Sequence, residues 1–332
     1  MAVDVPRAGQ QAGAALLAAM LTVTLVATFA AAALWQQWRS VEVETAERAR
    51  VQSAWMLTGA LDWSRLILRE DARSGGADHL AEPWAVPLNE ARLSSFLAVD
   101  QSAGNTVSDT EREAFLSGQV SDLQARLNVT NLIDGGTVSE PTLVIFRRLF
   151  ELLGLPPQPL DAMARQLLQA SQAASRGAAG QAVTPLTPLM PQRVEQLLWL
   201  GLPPEVLAVL RPHITLLPAR TPVNVNTASA EVIYASTPGL DMVDAQKLVA
   251  ARQRSHFRTL ADANRQLGGR VGRFVDEQHS VATRYFEVRG RLRLDQVVVE
   301  ERSVLQRDGL AVRTLWRDRG VVADWPVAAA RP

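Results

Sequence analysis

From Ala14 to Leu34 the chain reads AALLAAMLTVTLVATFAAAAL and carries no charge. About 20 apolar residues in a row are what a helix needs to cross the hydrocarbon core of a bilayer, and few soluble folds tolerate such a run at a terminus. Trp35 and Trp38 follow where amphipathic rings prefer the membrane–water interface, and Arg39 closes the span. No proline interrupts the chain from Val41 to about Arg73, so one continuous helix is expected, half in lipid and half out. Ala54, Leu57, Leu61 and Leu68 fall close to one face of it, with Val51 and Trp55 beside them, whereas Glu42 to Arg50 is charged on most sides. The helix should therefore leave the membrane solvated or against other subunits and dock its later turns on a globular body. A cleaved signal peptide, with Arg7 as its charged region and Ala31 and Ala33 as the small-residue site, is the first alternative. The run exceeds the usual signal length, which favours retention. An uncut anchor is the second alternative.

The polar leader ends in Gly13, directly against the apolar run beginning at Ala14. This junction resembles a type IV prepilin processing site, where a peptidase cuts after the glycine and leaves the helix on the mature protein. Most such proteins carry Glu five residues after the cut, and here that position is Ala18. The minor pseudopilin K family of type II secretion systems typically lacks that glutamate.

The 332 residues suffice for two or more domains. Lys plus Arg and Asp plus Glu number 34 each, a balance that argues against a chain whose business is coating nucleic acid. There is no cysteine, so disulfide staples and thiolate chemistry are excluded. The four histidines, His79, His213, His256 and His279, have no metal-ligand spacing, and no nucleophile elbow, P-loop or dinucleotide fingerprint occurs. An enzyme is not indicated.

Past the first helix, Arg73-Ser-Gly-Gly supplies a glycine stop. Asp78-His-Leu-Ala-Glu-Pro-Trp-Ala85 reads as a loop with a buried tryptophan and resembles a stretch of the protein K family. Residues 88–120 are weakly patterned, and Asn105–Glu113 is expected to be a surface loop. In Arg126-Leu-Asn-Val-Thr-Asn-Leu132, after Asp122, the resemblance sharpens. The family places an Asp, a turn, a basic residue and an Asn-rich strand here, and asparagines on such a strand suit backbone bridging into a helical domain. An ordinary polar edge strand fits equally well. Helices are expected at Leu143–Leu153 and Leu160–Gln172, a Gly/Ala/Pro-rich linker after Ser175, and two short helices within Leu186–His213.

Many family members continue with an acidic calcium-binding segment, but this chain has Gln166-Leu-Leu-Gln-Ala-Ser171, without converging oxygens. The calcium site is not carried over, and no cofactor is expected. Asn224, Asn226 and Thr227 open the most specific internal motif, with Thr227 as helix N-cap and Glu231 in its first turn. Pro238 and Gly239 then form a hairpin before a helix from Met242 to Arg252. This resembles a helix-hairpin-helix, or SAM-like, unit. DNA-binding versions have a second hairpin glycine, whose place is taken by the carboxylate of Asp241. Lys247, Arg252 and Arg254 could still meet nucleic acid. A membrane-anchored periplasmic DNA-binding protein of a competence-like system is thus the rival reading, and protein packing is favoured over it. From Thr283 the pattern alternates, giving strands at Tyr285–Leu294, Gln296–Leu305 and Leu310–Arg317, with Arg and Glu on a solvated face.

Taken in order, these stretches resemble protein K of type II secretion. The resemblance implies an α+β, pilin-like fold: a long N-terminal transmembrane helix, a C-terminal antiparallel sheet, and a large inserted helical domain with SAM-like units. Its expected divisions are a leader at 1–13, the membrane helix at 14–36, and a periplasmic helix with the first part of the body at 37–102. The insertion follows at 103–220 and 221–282, and the terminal strands at 283–325. The implied role is a minor pseudopilin at the tip of a periplasmic pseudopilus, aiding its assembly and length control for export of folded proteins. The implied partners are prepilin peptidase, minor pseudopilins I and J, the major pseudopilin and the inner membrane.

Overall fold

The computed structural model describes residues 12–92, 114–179, 187–268, 273–294 and 297–320. Most of the leader, the loop Asn105–Glu113, part of the linker after Ser175 and nearly all of the C-terminal tail lie outside them.

Helix α1, Ala12–Ser74, is a single unbroken helix of 63 residues, about 95 Å long at 1.5 Å per residue. Its side chains are exposed from Ala14 through Arg48, and burial begins at Ala49. Ser53, Leu57, Leu61 and Leu68 then recur at four- and seven-residue spacing along one stripe and are buried. That stripe lies on an antiparallel five-stranded sheet, ordered β1 (Leu88–Arg92), β2 (Ala114–Asp122), β3 (Tyr285–Leu294), β4 (Val297–Asp308) and β5 (Ala311–Gly320). Leu61 and Leu68 pack with Trp84, Phe286, Val288 and Leu305, and lower on the helix Leu57 packs with Leu116 and Leu292. Trp84 meets Phe286 edge-on at 5.2 Å. Gly290 lets the helix come this close, since a Cβ there would sit 3.1 Å from Leu57 Cδ2.

Three sequence expectations need correction. Residues 88–120 contain β1 and most of β2, so the stretch assigned to the insertion from residue 103 includes a strand of the main sheet. β2 pairs with β3 from Ala114↔Leu294 to Asp122↔Phe286, and the helical unit leaves the sheet only after Asp122. The pairing partner lies more than 160 residues away, which no local pattern signals. The Asn-rich stretch is a strand only at Leu127–Asn128, followed by a 3-10 turn at Val129–Leu132. The Arg/Glu alternation of the terminal strands is not a solvated face. Glu287, Glu300 and Glu301 are buried, and Glu301 is bracketed on the α1 side by Arg317 and Arg319.

Between β2 and β3 the chain builds a second core from α2 (Glu140–Leu152), α3 (Gln158–Ala178), α4 (Pro204–Leu210), α5 (Ala230–Ser236), α6 (Met242–Arg254) and α7 (Leu260–Gln266). Leu132, Phe146, Leu149, Phe150, Leu160 and Leu167 are buried at its centre with Leu197, Leu200 and Val232. The α+β architecture is that expected: long apolar N-terminal helix, antiparallel sheet, and helical insertion ahead of the last three strands.

Candidate functional site: a membrane stem and a carboxylate-pinned joint

Gly13 and Ala14 lie in the first turn of α1, and Ala18 is exposed one turn further on. The helix continues from this apolar segment to the sheet without a break, so any force along the stem reaches the body directly. It is the one helix among the described residues long and apolar enough to cross a membrane.

At the other end, the helical unit joins the sheet around one carboxylate. Asp122 ends β2 and caps the 3-10 turn that follows, its Oδ1 accepting from Gln124 N at 2.7 Å and from Thr283 Oγ1 at 2.6 Å. Its Oδ2 accepts from Asn224 Nδ2 at 2.9 Å and Thr227 Oγ1 at 2.6 Å. Burial pushes the carboxyl above the usual range, and these four donors pull it back. Three chain segments therefore meet on one side chain: the exit from the sheet, the start of the helix-hairpin-helix unit, and the return into β3.

Thr227, expected to cap a helix, serves this joint instead, and Ser229 caps α5 by accepting from Val232 N. Asn224 also donates to Asp78 O, tying in the loop after α1. Asn226 clamps Phe257 from both sides, donating to its carbonyl at 2.8 Å and accepting from its amide at 2.9 Å. Asn128 and Asn131 bridge to backbone across the joint: Asn128 accepts from Leu217 N and donates to Ala219 O, while Asn131 does both with Thr221. His79 stacks on His256 at 3.7 Å, a further contact between the two units.

The hairpin tip is exposed, and protein holds its flanks. Pro238 and Gly239 form the turn, with Gly239 at φ 84°, where glycine is free of the Cβ penalty. Arg148 of α2 lies over the Tyr234 ring and donates to the carbonyls of Tyr234 and Leu240. Asp241 caps α6 and leaves an exposed carboxylate at the hairpin exit. Arg252 points inward to Val225 O, burial bringing its pKa down to about 10, and Lys247 is paired with Asp244. Of the cations singled out for nucleic acid, those two are engaged by the protein, and a phosphate would meet Asp241.

Two other clusters bear on chemistry. His279 is buried with Nε2 near Ser236 and Thr237 hydroxyls, but its Nδ1 accepts from Val275 N. The proton then sits on Nε2, the wrong tautomer for a general base, and burial lowers the pKa to about 4. Asp71, Asp78 and Glu82 bring carboxylate oxygens within 4.8 Å of one another. Asp71 stands in the last turn of α1 and Asp78 and Glu82 in the loop that follows, and the turn at Gly75 and Gly76 folds the loop back so that the three meet. Arg307 bridges two of them, Asp71 and Asp78, at 2.5 Å each, so a guanidinium already answers the charge that a divalent ion would need. The calcium implied by the family finds no donor set at Gln166–Ser171 either, where Leu167 and Ala170 are packed inside α3.

Comparison with known proteins agrees with this architecture. Sequence models of the family described as Type II secretion system (T2SS), protein K match residues 125–219 and 223–282. A chain of the GspK-GspI-GspJ complex from the enterotoxigenic Escherichia coli type 2 secretion system shares the fold, with TM-score 0.58 and 17% identity over 83% of this chain and 98% of that one. The type II secretion system protein K of Pseudomonas aeruginosa is 30% identical, covering 95% of this chain and 94% of its own length. With that identity along nearly the whole chain, the protein belongs to the type II secretion system protein K family of minor pseudopilins.

Proposed function

We propose that this chain is processed between Gly13 and Ala14, anchored in the inner membrane by α1 with its body in the periplasm, and placed at the tip of the secretion pseudopilus. The observation that carries the reading is the unbroken 63-residue helix joining an apolar span to a sheet-and-helix body. Its partners in this reading are minor pseudopilins I and J, since the solved relative is in complex with both, with the major pseudopilin below and prepilin peptidase acting first. The chain promotes assembly and sets length by capping: its helical unit, inserted between β2 and β3, fills the space where a further subunit would stack. Ala18 suits a first subunit, because a glutamate there would pair with the terminal amine of a subunit above. Nucleic acid is not a partner in this reading, and no catalysis is involved.

Mass spectrometry after co-expression with a prepilin peptidase tests the first step. Ala14 as mature N-terminus is expected; a chain beginning at Met1, or cleaved near Leu34, would overturn the assignment. Ala18→Glu should alter pilus number or length, and unchanged pili would remove the capping rationale for that position.

A further inference from the structure

The seam between the back of the sheet and the helical unit is rich in guanidinium. Glu287, fully buried, accepts from Arg289 at 2.7 Å and from Arg302 at 2.5 Å. Arg302 also reaches Glu195 at 3.2 Å, and Glu195 is paired with Arg211 at 3.1 Å. Arg126 enters the same seam within electrostatic reach of Glu287, Arg289 and Arg302. Among the described residues its part-buried side chain makes no hydrogen bond or ion pair, while Glu287 accepts from two arginines and Asp122 from four donors. Nearby, His213 Nδ1 is buried without a partner.

Arg126 is the basic residue of the motif that also supplies Asp122 and Asn128. Its neighbours have explained roles at the joint, and it has none. A part-buried guanidinium without a hydrogen-bonded partner has lost hydration that nothing in the chain replaces, and its planar fork matches an oxyanion. Burial, then the like charges of Arg289 and Arg302, pull its pKa below the ordinary guanidinium value, although Glu287 and Asp122 pull the other way. The group remains a cation, so the imbalance is met by an incoming anion rather than by proton loss.

We propose that this seam is an anion site, in which Arg126 takes a compact oxyanion, a phosphate or a carboxylate, from solution or from a neighbouring chain. The site lies where two connectors leave the sheet: Arg126 N donates to Leu123 O, and Leu127 N donates to His213 O. An anion held there ties the connectors together and stiffens the helical unit against the body. Anion binding at Arg126 does not depend on the secretion reading; only the choice of partner chains in the last arm of the test rests on it.

The test is thermal unfolding of the full chain in zwitterionic nanodiscs, with inorganic phosphate replacing chloride at constant ionic strength. Phosphate on the order of 10 mM should raise the midpoint by about 2–4 °C in the wild type. Arg126→Gln should abolish the response, and Arg126→Lys should keep part of it. Because the response is read within each variant, a lower starting midpoint does not obscure it. No response in the wild type, or an equal response in Arg126→Gln, would overturn the proposal. Repeating the titration on the assembly with minor pseudopilins I and J distinguishes the sources. A response lost there means that a partner carboxylate fills the site, and a response kept means that a free anion does.

Discussion

Glu82 Oε2 accepts from His79 N and from Trp84 Nε1, both at 2.8 Å. Burial and the adjoining Asp71 raise its pKa to about 7 even so. The neutral form is the one the fold prefers, so its contribution is fully present below about pH 4.5 and is lost as pH rises through 7. Gln is a near-isostere of that neutral form: its oxygen can accept both donors while its amide donates to Asp71. Urea unfolding at pH 8 should show Glu82→Gln at or above wild-type stability, and a clear loss there would refute the assignment. His279 acts in the opposite sense. Its pKa of about 4 means stability is full above 6.5 and falls as pH drops from 6.5 toward 4, by up to about 3 kcal/mol. In His279→Gln that acid limb should disappear from the unfolding free energy; an unchanged limb would place the loss on another group.

At the scale of elements, the docking of α1 depends on Gly290. Gly290→Val puts branched carbon against Leu57 and should destabilise the body by about 1–3 kcal/mol, lifting the helix off β3. Adding Leu57→Ala should recover part of that loss in a double-mutant cycle, and strict additivity would mean the two residues do not meet. The stem and its docking stripe were legible in the sequence, because the apolar run and the 57, 61, 68 spacing are local patterns. The three last strands were legible for the same reason. β1 and β2 were not: LNEAR is a polar edge strand, and β2 is defined by its partner across the insertion. Local pattern also placed the hairpin at Pro238 and Gly239, but it assigned Thr227 to a helix cap because the competing acceptor, Asp122, lies 105 residues away.

In the whole molecule, Asp122 decides whether the helical unit and the sheet behave as one body. Asp122→Ala leaves buried donors on Asn224, Thr227 and Thr283 without their acceptor and should cost on the order of 3 kcal/mol. Hydrogen exchange should rise around residues 223–227 and 283–285 while α1 stays protected. If exchange there did not change, the pin would lie elsewhere, in the His79–His256 stack or the asparagine bridges.

By itself the sequence determined that the chain has a membrane-length helix, that this helix runs on into a docking stripe, and that strands close the chain. These are consequences of composition and period, which act over a few residues. It also carried the order of motifs by which the family is recognised. Only the tertiary structure decided what the polar residues do. Asp122 became a joint, Arg307 paired with Asp71 and Asp78, and Glu287 and Glu301 went inside with arginine partners. Polar side chains take their roles from neighbours brought close by folding, at separations of 100 residues and more, and burial then sets what each charge costs.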